Sequence, residues 1–230
     1  MLYLGCPQWS STAWKGNLLS SHCKSADMLS EYAQCFNSVE GNTSFYADPS
    51  HETLLRWHDA VPEDFKFTFK FHRRFSHELQ LTNITSELNA WLNLFEPIFA
   101  KTGQIMLQLP RAFGPDALPL LANFIAQLPK QLSYGIEVRH PGFFQKDDAE
   151  IRLNQLLIEN NIDRISMDTR ALFAVPADTD AFIDAQKKKP YLPVHAIATG
   201  NQPMLRFVIA SLEHEYKSYY QPWLQKIKQW

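Results

Sequence analysis

Polar and charged side chains close one short apolar run after another along this 230-residue chain. Glu40 ends Ser38-Val39-Glu40, Lys70 ends Phe67-Thr68-Phe69-Lys70, and Gln108 ends Ile105-Met106-Leu107-Gln108. Glu137 lies in Gly135-Ile136-Glu137-Val138, Asp168 ends Arg164-Ile165-Ser166-Met167-Asp168, and Arg206 lies in Leu205-Arg206-Phe207-Val208-Ile209. Such a set suits acid–base chemistry on an anion. Glu40, Lys70, Glu137 and Asp168 are the candidate catalytic residues. Two carboxylates near cations can be held at different pKa values, one as acid and one as base, and Lys70 would stabilise developing negative charge. Arg139, Arg170 and Arg206 offer planar forks for carboxylate or phosphate. Trp9, Asn42, Tyr46, His72, Gln108 and His140 complete the candidate substrate-binding set, with Trp9 and Tyr46 suited to stack on a sugar or base. The competing explanation is an ion-pair network that merely seals one end of the fold.

Other chemistries find less support. His51-Glu52, His77-Glu78 and His214-Glu215 each begin like HExxH, but none has a histidine four residues after the first, so a zincin is excluded. A dispersed metal site from Glu40, Glu137, Asp168 and His72 or His140 stays open as the basis of a metal-dependent phosphodiesterase or nuclease. No metal or cofactor is assigned. The first turn, Gly5-Cys6-Pro7-Gln8, lacks GxGxxG. There is no P-loop glycine pattern and no GxSxG elbow.

These residues need elements to position them. Seven runs read as strands: Tyr3-Leu4-Gly5 and the six above, of which Leu205 to Ile209 is the last. Several are apolar on both faces, as buried parallel strands are. Between them lie helical stripes: Leu29, Tyr32, Ala33 and Phe36; Leu88, Trp91, Leu92, Phe95 and Phe99; and Leu118, Leu121, Ile125 and Leu128 behind Pro115. Asp147 with Glu150 three residues on predicts a capped helix start. Residues 171–199 read as a long loop holding one short helix, with Lys187 to Lys189 on a solvated face. Strand–helix alternation predicts a parallel α/β fold. Seven units point to a TIM-type (β/α) barrel, whose active groups gather at the strand C-termini.

Composition narrows the class. Lys+Arg total 22 against 24 Asp+Glu, so the net charge is −2; hydrophobic residues make up 45%. That excludes a disordered chain and argues against general nucleic-acid binding. The expected partner is a small anionic molecule. No run reaches the roughly 20 apolar residues of a membrane span. Three cysteines without paired spacing, and no leader pattern, predict a cytoplasmic protein.

The order of motifs resembles the DUF72 (YecE-like) family: Gly5-Cys6-Pro7-Gln8-Trp9-Ser10, Trp14, Val39-Glu40-Gly41-Asn42-Thr43-Ser44-Phe45-Tyr46, Pro62-Glu63-Asp64-Phe65-Lys66-Phe67 leading to Lys70, Ser76-His77, Gln108-Leu109-Pro110, Glu137-Val138-Arg139-His140, Met167-Asp168-Thr169-Arg170 and Arg206-Phe207. The resemblance runs over nearly the whole chain and implies a TIM-type barrel in one domain, residues 1–230. It implies no reaction and supplies no catalytic residues. Family members continue beyond the equivalent of Trp230 with a further strand and a loop bearing an Asp-Asn pair, so the expectation is a barrel shortened at its C-terminus and lacking its last strand. The strand-end residues themselves leave three functions open: an enzyme on a small anionic substrate such as a phosphorylated sugar or nucleotide, a non-catalytic ligand- or protein-binding barrel, or the metal-dependent hydrolase above.

Overall fold

The structure, a computed structural model, describes residues 1–212 and 214–230. The chain forms two compact units, Met1–Gln108 with Gln127–Tyr134, and Leu109–Ala126 with Gly135–Trp230.

In the first unit, α1 (Met28–Tyr32), β1 (Ser38–Gly41), α2 (His51–Asp59), β2 (Lys66–Lys70), α3 (Thr85–Phe95) and β3 (Thr102–Gln108) follow in order. The strands are parallel, with β2 between β1 and β3. Side chains alternate faces along a strand, and the sequence uses that period. Phe65, Phe67, Phe69 and Phe71 all turn to one face and are fully buried. There Phe69 stacks on Trp57 of α2 at 6.1 Å and meets Phe95 of α3 edge-on at 5.1 Å. The opposite face is polar at its end. The register Glu40↔Thr68, Thr68↔Gln104 and Lys70↔Met106 puts Glu40, Lys70 and Gln108 together on it. Ser50 caps α2 by accepting a hydrogen bond from the Thr53 amide.

The strand expected at Tyr3-Leu4-Gly5 does not form. Side chains take the place of a ladder partner. Leu4 N–H donates to Asn37 Oδ1 at 2.8 Å, and Asn37 Nδ2 donates to the Leu2 carbonyl at 2.9 Å. Cys6 N–H donates to the Tyr32 hydroxyl at 2.7 Å, which donates to the Ser38 carbonyl at 2.8 Å. Burial drives the Tyr32 pKa upward, so this hydroxyl keeps its proton. Gly5 passes so close to β1 that a Cβ there would lie 1.9 Å from the Ser38 carbonyl oxygen.

The second unit contains α4 (Leu118–Ile125), β4 (Tyr134–Glu137, whose first residue belongs to the first unit), α5 (Asp148–Glu159), β5 (Asp163–Arg164), β6 (Ser166–Asp168), α6 (Arg170–Phe173), α7 (Asp180–Lys188), β7 (Leu205–Phe207) and α8 (Lys217–Ile227). Pro115 opens the 3₁₀ turn before α4, where its missing N–H costs nothing. Asp147 caps α5, as its spacing predicts, by accepting from the amides of Ala149 and Glu150. Parallel pairing joins β4 to β5 and β6 to β7. The expected single strand from Arg164 to Asp168 is thus an extended run that changes partner. Ile165 N–H donates to Ile136 O, while Ser166 N–H donates to Met204 O. The loop expected over 171–199 contains α6 and α7, and Lys188 is paired with Asp184 at the surface, 2.7 Å away.

After α7 a strap of residues 189–204 runs to β7 without secondary structure, so side chains must satisfy its backbone. Thr169 Oγ1 donates to Pro190 O, and Ser166 Oγ donates to His195 O. Thr199 Oγ1 accepts from Arg164 N–H and donates to Ile162 O. The central fastening is buried Glu150. Its Oε1 lies 2.5 Å from His195 Nδ1 and 2.8 Å from Arg164 Nη1, and its Oε2 accepts from Lys146 N–H at 2.8 Å. Burial pushes the Glu150 carboxyl up, but His195, the Lys146 amide and Arg164 outweigh it and hold it below the usual carboxylate range.

Candidate functional site

The first unit builds one polar group where β1, β2 and β3 end. Lys70 Nζ lies 3.1 Å from Glu40 Oε1 and 3.2 Å from Gln108 Oε1, and all three residues are buried. The face of Phe45 lies 5.6 Å from the same nitrogen, a favourable position for a cation. The buried Ser44 hydroxyl fixes the backbone of Lys70. It accepts from Lys70 N–H at 3.0 Å, and its proton is shared between Lys70 O at 2.8 Å and Gly41 O at 3.0 Å. His72 lies 3.2 Å from Tyr46 O through Nε2 and accepts from Arg74 N–H at Nδ1. That pattern fixes its Nε2–H tautomer. The Tyr46 ring itself is largely exposed. Two expected contacts of the set turn out to be supports. Asn42 Nδ2 donates to Pro7 O, tying the N-terminal segment to the end of β1. Trp9 is half-buried and packs edge-on against Trp57 at 5.1 Å.

The second unit builds a different group. Glu137, 1% exposed at the end of β4, is gripped from both sides. Its Oε1 accepts from Arg139 Nε and Nη2, each at 2.6 Å, and its Oε2 accepts from Arg206 Nη1. The Arg139 side chain keeps 16% of its surface exposed.

Asp168 stands apart from that pair. Met167 is in register with Arg206, and Asp168 with Phe207, so Asp168 and Arg206 project from opposite faces of β6-β7. The fully buried Asp168 faces α8. Its Oδ1 accepts from Arg170 N–H and Nε, both at 3.0 Å, and its Oδ2 accepts from Arg170 Nη2 and from Trp223 Nε1, both at 2.7 Å. Burial raises its pKa, but the Arg170 and Trp223 hydrogen bonds outweigh that and hold it low. The expectation that Asp168 shares a face with the other strand-end charges of its unit is corrected by this register. Arg170 is spent on Asp168 and rests against the Tyr219 ring. His140 also works locally. Its Nδ1 accepts from Gly142 N–H, and added Cβ atoms at Gly114 or Gly142 would fall within 3.2 Å of its ring.

Ser44 and Trp223 lie outside the expected site residues. Nothing in their spacing marks them, because their partners are distant in sequence. Among the described residues no group of three or more His, Cys, Asp or Glu is arranged to hold a metal ion, and no helix is long and apolar enough to cross a membrane.

Residues 3–230 match the sequence profile of the family described as "Protein of unknown function DUF72". The chain is 40% identical over 230 residues to UPF0759 protein YecE of Escherichia coli K12, spanning all of this chain and 82% of that protein. The namesake from strain O157:H7 gives the same identity and coverage. Among solved structures, a DUF72 family protein from Enterococcus faecalis V583 aligns with a TM-score of 0.73 at 22% identity, covering 100% of this chain and 85% of that one. One from Thermotoga maritima MSB8 aligns with a TM-score of 0.72 at 19% identity, covering 100% and 87%. At those identities the likeness establishes a shared α/β fold. With the profile matched almost end to end and the YecE identity behind it, this chain belongs to the DUF72 family.

Proposed function

We propose that the protein is an enzyme acting on a small anionic molecule, of the class of phosphorylated sugars or nucleotides. The observation that carries this reading is Glu137 clasped between Arg139 and Arg206. Guanidinium forks held in a fixed orientation in a buried site are suited to bidentate recognition of a phosphate or carboxylate. Glu137 then orients the two forks, and the anion meets them. Within the first unit, the buried Glu40–Lys70 pair, with Gln108 accepting from the same ammonium, has the residue types for acid–base work and is proposed as a reactive group of that unit. The (β/α) barrel belongs to the same reading, because that architecture places active groups at the C-terminal ends of parallel strands. A single working domain and a cytoplasmic location are proposed with it, the latter supported by three free thiols at Cys6, Cys23 and Cys35.

Inorganic phosphate and a panel of phosphorylated metabolites, screened by thermal shift, test the proposal. The wild type should gain stability with at least one of them, and Arg206→Gln should lose that gain. A wild type indifferent to every anion would remove the basis for the reading. Stabilisation without turnover would instead leave a binding protein.

A further inference from the structure

We propose that Lys70 acts as a nucleophilic amine that condenses with the carbonyl carbon of an aldehyde or ketone. This goes beyond the reading above and rests on the Lys70–Glu40–Gln108 group of the first unit alone.

The β1-β2-β3 ladder sends its phenylalanines to one face and Lys70 to the other. There the lysine side chain is only 5% exposed. A long flexible amine in such a place needs fixing, and the structure fixes it at both ends. Ser44 holds its backbone N–H and carbonyl. At the tip, Glu40 and Gln108, each at the end of a flanking strand, accept hydrogen bonds from Nζ at 3.1 and 3.2 Å. Desolvated lysines are among those that serve as Schiff-base nucleophiles, and here Glu40 lies within reach to take the ammonium proton. The two acceptors have different capacities. The amide oxygen of Gln108 can only accept, so it aims an N–H bond. The carboxylate of Glu40 can also take a proton and give it back.

The step balances with these groups alone. The ammonium passes a proton to Glu40, leaving a neutral amine and a carboxylic acid. The nitrogen lone pair forms a bond to the carbonyl carbon while the C=O π pair moves to oxygen. A proton then shifts from nitrogen to that oxygen, giving the carbinolamine. Glu40 returns its proton to the hydroxyl, the C–O bond breaks, and water leaves as the C=N bond forms. The product is a cationic imine beside an ionised Glu40. The charge on nitrogen is the same before and after, so the Phe45 face 5.6 Å away favours both states. Fixing the amine beforehand reduces the entropic part of the barrier.

The test uses glyoxylate, a small anionic aldehyde, with cyanoborohydride to trap any imine on the full-length protein, followed by peptide mass mapping. Lys70 should be alkylated faster than every exposed lysine of the same sample. Glu40→Gln should slow labelling at Lys70 by about a hundredfold, the scale of a lost acid–base group, with labelling of surface lysines unchanged. If Glu40→Gln fails to fold, the wild-type rate ratio decides alone. Labelling of Lys70 no faster than surface lysines in folded wild type overturns the inference. Phosphate binding that depends on Arg206, together with an unlabelled Lys70, overturns the imine and leaves the anion site standing. Rapid labelling of Lys70 with no anion binding supports the imine and removes the anion clamp.

Discussion

Asp168 and Arg206 lie on paired strands one residue out of register, and so point to opposite faces of the β6-β7 ladder. The two charges therefore have separate jobs. Arg206 grips Glu137, whereas Asp168 binds Arg170 and the indole of Trp223 and so anchors α8.

Substitution should separate them. Asp168→Asn should cost about 2–4 kcal/mol, somewhat less than a fully buried pair because the Arg170 side chain is half in solvent. In a chain of this size that lowers the melting temperature by about 5–10 °C, while phosphate-induced stabilisation stays intact. Arg206→Gln should abolish that stabilisation. Differential scanning fluorimetry of both variants with and without phosphate gives the comparison, and equal loss of phosphate response would show that the faces are not functionally separate.

Acid should weaken the second unit in a defined direction. The carboxyls of Glu150 and Asp168 both titrate below their ordinary range in the folded protein. Each therefore contributes stability that is present above the unfolded carboxylate pKa, near 4, and is lost as the pH falls through the lower folded value. Urea titrations between neutral pH and about pH 3 should show this decline. Glu150→Gln should flatten it, because the variant has no carboxyl to protonate at that position.

The strap depends on one imidazole. His195→Ala removes the link to Glu150 and leaves Arg164 and the Lys146 amide in place. A lost hydrogen bond to a charged group is worth roughly 1.5–3 kcal/mol. Amide hydrogen exchange at Ile197, whose N–H donates to the His195 carbonyl, should then accelerate by about ten- to a hundredfold if the strap opens as a unit. Exchange along α3 should be unaffected.

Ser44 is a supporting residue for Lys70. Ser44→Ala leaves the buried Lys70 amide without this acceptor, at a cost of about 1–3 kcal/mol. The same variant should slow glyoxylate trapping at Lys70, since the amine loses its fixed base. A destabilised variant with an unchanged trapping rate would show that the hydroxyl serves the fold alone.

Much of this arrangement could be read from local pattern. The strand ends at Glu40, Lys70 and Gln108, the cap at Asp147 and the turn at Pro115 depend on residues a few positions apart. Register does not. Whether Asp168 faces the same way as Arg206 depends on pairing with a strand about 40 residues on, and nothing near Asp168 encodes it. Tyr3-Leu4-Gly5 has the composition of a strand, yet Asn37 and Tyr32 satisfy its backbone with side chains. The run from Arg164 to Asp168 looked continuous, and its extended backbone nearly is. What sequence alone omits is the change of hydrogen-bonding partner at Ile165. No local pattern marks Glu150, His195 and Arg164 as a cluster, because three distant segments supply them.

The crossing of Gly5 over β1 has a practical corollary for anyone altering this protein. Irregular N-terminal segments usually tolerate exchange, and the neighbours Met1, Leu2 and Leu4 are well exposed. Position 5 breaks that rule, since even an alanine methyl would drive into a carbonyl oxygen. In a saturation library of codons 2 to 10, this one should accept a single amino acid, while those for Leu2 and Leu4 drift freely.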